Sequence, residues 1–217
     1  MGHNYFPTDV GYYVVYDVDS FFYDDFNNRI DTFKFQLKEK IQSVYTDNEN
    51  RPTVRLERYK KNYSPTLPYN AKIWSLKNVW AENLTTSTAE KVEENIRYAK
   101  LKFPVKKNQK WNGKVQNTLT QWNYEYAFFD LPRTIGGIHF DSVLQVTQFD
   151  DKFSNLVAHK YYIEKYARNY GLIYKQVIDV ESQPPNPTPS GFFDIPIMQR
   201  VTSGFQYTMT VNYYGME

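Results

Sequence analysis

The 217-residue chain has no cysteine, so it offers no disulfide framework, no zinc–thiolate site and no thiol nucleophile. Long apolar runs are missing as well. Stretches such as Tyr12–Tyr16 fall far short of the ~20 residues that a membrane-spanning helix needs. Net charge is nearly absent: 26 Lys and Arg stand against 24 Asp and Glu, a formal +2. No whole-molecule field then steers the chain toward nucleic acid or an anionic membrane. Histidine is scarce, and His3, His139 and His159 are scattered without the spacing of a zinc site. Met1-Gly2-His3 does not read as a signal peptide, and it suits a start placed after a leader was trimmed.

Aromatic residues are what the chain has in excess: 20 Tyr, 15 Phe and 4 Trp make up 18% of it. Rings with a polar tip suit half-buried sheet surfaces and binding faces. The periodicity agrees. Gly11–Phe26 opens with a β-branched and aromatic run that reads as one long strand or a tight pair. Phe33, Phe35, Leu37 and Ile41 alternate with Lys34, Gln36, Lys38 and Lys40, giving a strand with one wet face, although Phe33, Leu37, Ile41 and Val44 also fit a helical stripe. A turn over Asp47–Pro52 leads into a strand at Thr53–Tyr59. Trp74, Leu76 and Trp80 share a face in a strand over Ile73–Leu84.

From Ser87 the signals conflict. Ser87-Thr88-Ala89-Glu90 has capping-box spacing, but 95–103 alternates as a strand ending before Pro104, and 87–94 stays open between helix and strand. Lys106–Gly113 reads as a polar, basic loop. Trp122, Tyr124, Tyr126 and Phe128 then alternate cleanly, and Ile138, Phe140, Leu144 and Val146 follow after Gly136-Gly137. Leu156–Val180 reads as a hairpin folding at Asn169-Tyr170-Gly171, with Leu172, Tyr174, Ile178 and Val180 on its inner face and a helix over Tyr161–Arg168 as the competitor. Gln183–Gly191, with four prolines, is a Pro-rich surface loop. Phe205–Tyr213 is a last strand that completes the sheet.

The expected fold is therefore mainly β: one domain over 1–217 with a flexible N-terminal segment at 1–10. Eight to ten strands form an antiparallel curved sheet, partial barrel or sandwich, with at most one or two short helices.

The sharpest chemical motif is Val14-Val15-Tyr16-Asp17-Val18-Asp19, since an apolar strand ending in Asp-x-Asp resembles the nucleophile strand of haloacid-dehalogenase-type phosphotransferases. That resemblance implies attack on phosphorus by Asp17 and proton transfer by Asp19. The chain departs from the pattern at Phe21, where glycine or threonine is usual, and no alternating helices and strands follow. The competing reading puts both aspartates on the solvent face of a strand. Asp17, Asp19, Asp24 and Asp25 supply oxygens suited to Ca2+, without a loop glycine. His139-x-Asp141 and Ser142 form no recognisable catalytic arrangement. Lys60-Lys61, and Lys102, Lys106, Lys107 and Lys110 with Trp111, mix charge with rings as glycan or single-strand surfaces do, or are solvated faces. Asn83-Leu84-Thr85 fits an N-glycosylation acceptor.

Tyr12–Ser20, Asp31–Glu39, Arg55–Tyr59 and Tyr166–Lys175 resemble pieces of uncharacterised lipoproteins from the Gram-negative bacterial envelope, the last carrying a Tyr-Ala-x-x-x-Gly-Leu segment seen in several β-rich envelope proteins. The resemblance implies export, an N-terminal lipid anchor on a cysteine not present in this chain, and no assigned activity. No functional residue carries over.

The expectation is a non-enzymatic, extracytoplasmic cell-envelope domain of the periplasm or outer-membrane surface. Its aromatic sheet face, at Trp74, Trp80, Trp122, Tyr124 and Tyr126, binds a lipid, another hydrophobic small molecule or an envelope protein. The same rings also make sense as plain core. No cofactor, metal or nucleic acid is expected, and membrane contact comes only through a lipid anchor. The alternative is an acid-dependent hydrolase or phosphotransferase using Asp17 and Asp19; a purely structural assembly component is a third reading.

Overall fold

A computed structural model describes residues 2–151 and 155–217; Met1, part of the expected trimmed start, lies outside them. Among the described residues there are twelve strands: β1 (Tyr12–Asp24), β2 (Arg29–Thr46), β3 (Pro52–Asn62), β4 (Ser75–Leu84), β5 (Thr88–Glu93), β6 (Ile96–Lys102), β7 (Lys110–Asn112), β8 (Asn123–Ile135), β9 (Ile138–Asp150), β10 (Ala158–Ala167), β11 (Gly171–Glu181) and β12 (Ser203–Met216). Helical structure is limited to four three-residue 3-10 turns. Every ladder is antiparallel, and all strands belong to one sheet in the order β6-β5-β4-β3-β2-β1-β12-β11-β10-β9-β8-β7.

That order is a closed meander with one seam. Each strand pairs with its neighbours in sequence, and β12 returns beside β1 from Tyr12↔Met216 to Tyr23↔Gly204. Only β6 and β7 fail to pair as a ladder. The seam is bridged by other means: the Ala99 N–H donates to the Gly113 carbonyl at 2.9 Å, the Trp111 indole to the Ala99 carbonyl at 2.8 Å and the Asn117 amide to the Arg97 carbonyl at 2.8 Å. The Tyr126 hydroxyl accepts from the Lys102 N–H and donates to its carbonyl. Two exposed edges are thereby shielded from pairing with other chains.

Local sequence explains the reversals. Two-residue hairpins need φ > 0 at both central positions. Gly136-Gly137 supplies this between β8 and β9, with φ of 59° and 79°. Glu94-Asn95 supplies it between β5 and β6, with φ of 48° and 65°. This glycine-free turn is why 87–94 reads ambiguously: the segment is strand β5, and the helical spacing from Ser87 has no structural counterpart. The helical readings of 33–44 and 161–168 likewise give way to β2 and β10.

Several expectations are corrected. The basic loop at 106–113 contains β7, whose Trp111 is buried. Residues 2–10, expected to be flexible, pack Tyr5 and Phe6 into a core cluster with Leu101, Phe103, Trp111 and Tyr124. Trp74, Leu76 and Trp80 do not share a face. The register passes from Arg58↔Asn78 to Tyr59↔Leu76, so Lys77 is an extra, bulged residue and the side-chain alternation resets across it. Ile173 is bulged in the same way, between Lys165↔Tyr174 and Tyr166↔Leu172. The lumen therefore receives Leu172, Lys175 and Val177 rather than Tyr174 and Ile178. The proline-containing segment 183–191 is exposed and joins β11 to β12.

Candidate functional site

A barrel of about eight strands can be filled by its own side chains, whereas a wider one encloses space. Here the lumen contains a cavity of about 370 Å³. Its apolar wall includes Phe35 and Leu37 from β2, Leu56 from β3, Trp80 from β4, Leu172 from β11 and Met209 from β12. The rest of the lining is ionic.

Eight charged side chains form a belt. The Glu39 carboxylate accepts from Arg58 Nε at 2.8 Å and from Lys91 Nζ at 2.8 Å, and Lys91 also reaches Glu82 at 3.1 Å. Lys100 pairs with Glu93 at 2.7 Å and Glu164 at 2.9 Å, while Lys175 reaches Glu164 at 3.2 Å. The Tyr166 hydroxyl donates to Glu164 at 2.6 Å. Two of these contacts join strands that are not neighbours in the sheet: Glu39 on β2 meets Lys91 on β5, and Lys100 on β6 meets Glu164 on β10 across the lumen. The four carboxylates Glu39, Glu82, Glu93 and Glu164 balance the four cations Arg58, Lys91, Lys100 and Lys175.

Balance matters because an unpaired buried charge costs several kcal/mol. Burial pushes the Glu39 carboxyl up, but Lys91 and Arg58 outweigh it and hold the group below its ordinary range. Burial likewise raises Glu164, yet Lys100 and Lys175 bring it down to about 2. Glu82 differs. Burial raises it, and its share of Lys91 does not compensate, so it stays above its ordinary range. Burial alone would lower Lys100; Glu164 and Glu93 instead raise it well above its usual value. The Arg58 guanidinium also lies 3.6 Å from the Trp80 ring centroid, joining the ionic and aromatic walls. The belt is an internally paired polar surface that presents charged hydrogen-bonding groups to the lumen.

Of the five sequence-selected aromatics, Trp80 alone lines this cavity. Tyr124 and Tyr126 are core, packed on Trp111 with ring centroids 5.9 and 4.7 Å away. Trp122 is held between Phe149 and Tyr162 with Lys114 over its ring. Trp74 precedes β4 and carries Lys61 over its face at 4.3 Å. The five do not form one binding surface, because the bulge at Lys77 and the curvature of the sheet separate them.

The Asp17–Asp19 pair does not form a phosphotransfer site. Asp17 is exposed and accepts from the amides of Gln36 and Asn212, and Asp19 lies 3.4 Å from Lys34. Both sit on β1 in an all-antiparallel sheet, the solvent-face arrangement. Asp24 accepts from the Asn27 backbone and side chain in the β1–β2 turn. Asn83 is 1% exposed and its amide donates to Thr53 and Pro52, so it offers no accessible glycosylation nitrogen.

Sequence reasoning missed the belt, although part of it was visible. Glu39 falls in the apolar phase of Phe35, Leu37 and Ile41, and Arg58 in that of Val54 and Leu56. Glu164 falls between Tyr162 and Tyr166. A charge in the apolar phase of a strand is the signal. Lys100 carried no such signal, because it is the bulged residue between Ala89↔Leu101 and Glu90↔Ala99.

No family model and no curated protein sequence matches the chain. Among solved structures, a protein described as a putative exported protein with a YmcC-like fold, from Bacteroides fragilis, aligns over 97% of this chain and 98% of its own, at 9% identity and a TM-score of 0.45. A protein described as a putative lipoprotein, from Parabacteroides distasonis, aligns over 97% and 98%, at 11% identity and a TM-score of 0.38.

Proposed function

We propose that this chain is a non-enzymatic binding protein whose barrel lumen holds a small molecule with a substantial apolar body. The observation that carries the reading is the cavity itself, about 370 Å³ within the size range of small-molecule sites, with an apolar wall and convergent polar groups. The ionic belt supports binding more than catalysis. Its carboxylates are each engaged by cations, and Glu164, which accepts from the Tyr166 hydroxyl, is itself held by Lys100 and Lys175.

Native mass spectrometry of the protein against its denatured mass tests this. A bound species released on denaturation is expected, and Leu37→Trp, which fills the lumen, should release none. A protein that stays bare after incubation with apolar small molecules, or a Leu37→Trp variant that retains the species, would overturn it. We further propose an extracytoplasmic location with membrane attachment through a lipid anchor, supported by the resemblance of Tyr12–Ser20 and Tyr166–Lys175 to envelope lipoproteins. Recovery of the natural gene product in the cytosolic fraction would exclude this.

A further inference from the structure

Beside the lumen, at the β3–β4 end, lies a second and more open cavity of about 470 Å³. Its charged lining consists of Lys60, Lys61, Lys72 and Lys77, with no carboxylate among the lining residues. None of these four lysines forms a salt bridge among the described residues, whereas the charges of the belt are all paired. Lys60 lies over the Phe35 ring at 4.1 Å, Lys61 over Trp74 at 4.3 Å and Lys72 over Tyr69 at 5.3 Å. Rings thus lie against three of the four cations, and Lys72 also donates to the Asn62 carbonyl.

The two cavities are continuous in their walls. Lys77 lines both, because its bulge frees it from the β3–β4 alternation. Phe35 lines the lumen while lying beneath Lys60 of the outer cavity. Burial and the neighbouring Lys77 lower the pKa of Lys60, so this pair gains from a counter-anion; Lys61 lies beside Lys38 on the other face of β3. A solvated lysine face has neither the paired rings nor the connection to an apolar chamber.

We propose that the outer cavity is a headgroup site and that the ligand of the barrel is an amphipathic anion: an acyl chain in the lumen ending in a carboxylate or phosphate held by Lys60 and Lys77, while Lys61, paired in register with Gln36, faces the other side of β3. The proposal rests on the lumen being a binding site and adds the sign and place of the ligand's charge. Apolar wall and cationic mouth then recognise the two halves of one molecule, and the balanced belt does not need to accept a net charge.

The test titrates delipidated protein with dodecanoate, dodecyl phosphate and neutral dodecanol below micelle-forming concentrations, read by tryptophan fluorescence and native mass spectrometry. Dodecanoate or dodecyl phosphate should bind about tenfold or more tightly than dodecanol. Whichever of the two binds more tightly identifies the headgroup. Raising salt from about 0.15 M to about 1 M should weaken the anions and spare dodecanol. Lys60→Gln/Lys77→Gln should remove the preference while dodecanol still binds, Lys61→Gln should keep it, and circular dichroism verifies the fold of both variants. Equal affinity for dodecanol and the anions, or an unchanged preference in the double variant, overturns the headgroup site while leaving the lumen reading intact. Binding of the anions that survives Leu37→Trp, or no binding by any of the three, overturns the lumen reading and this inference with it.

Discussion

Glu39 is held by two cations and Glu82 by a share of one, so the same chemical change at the two positions should have different consequences. Glu39→Gln weakens the partner of both Arg58 and Lys91 and leaves buried positive charge undercompensated; a loss of about 3 kcal/mol or more in urea unfolding at pH 7 is expected. Glu82→Gln removes a carboxylate whose ionisation burial disfavours, while Lys91 keeps Glu39, and its stability should stay within about 1 kcal/mol of the parent. Equal losses would mean that the belt does not partition its charges as the distances imply. The pH dependence follows from the same groups. Glu164 is lowered to about 2 from an ordinary 4.5, so folding favours its ionised form. Its contribution is complete above 4.5 and disappears as pH falls toward 2. Glu82 is raised and acts in the opposite sense, its contribution being present below 4.5 and lost as pH rises through its folded value. Unfolding free energy measured against pH should fall across the 4.5-to-2 window, and Glu164→Gln should flatten that limb.

At the scale of elements, the bulges decide which side chains reach the lumen. Lys77 and Lys100 are both extra residues in their ladders, and both line the cavity, so an alternation counted from the flanking apolar residues cannot place them. The hairpin between β8 and β9 depends on a different backbone device. Both Gly136 and Gly137 have positive φ, but a Cβ on Gly136 would meet the Val211 carbonyl oxygen at 2.0 Å, while one on Gly137 would meet open space. Gly137→Ala should therefore cost about 1 kcal/mol from the backbone alone. Gly136→Ala should cost more, about 2–3 kcal/mol, because the hairpin must move away from β12. Thermal melts of the two variants distinguish these outcomes, and equal shifts would remove the proposed contact with Val211.

On the scale of the whole molecule, the barrel is closed by its chain ends. β12 pairs with β1 on one side and β11 on the other, so one strand joins the half-sheet β1–β6 to the half-sheet β7–β11. Truncation after Thr202 removes both ladders and exposes two long edges. Loss of cooperative unfolding and aggregation are expected by circular dichroism and size-exclusion chromatography. A monomeric truncated chain with an unchanged melting transition would show that the two half-sheets are independent.

Alternation of rings with polar residues in Trp122–Phe128 and Phe205–Tyr213 was enough to determine a mainly β fold, since a period of two has no stable use in a helix, while Phe33–Ile41 also fitted a helical stripe. The phase of Glu39, Arg58 and Glu164 within their apolar alternations also marks buried ions in the sequence itself. Other features were set by tertiary structure alone. The turn at Glu94-Asn95 lacks glycine, and the extra residues at Lys77, Lys100 and Ile173 reset the side-chain phase without a sequence mark. The ring-like strand order, with its seam between β6 and β7, depends on contacts between residues as far apart as Tyr12 and Met216. Such pairings are chosen by packing and closure, which no local pattern encodes. For that reason the chemistry of the lumen lies in charged residues from seven strands, while the most conspicuous aromatics, Tyr124 and Tyr126, are core.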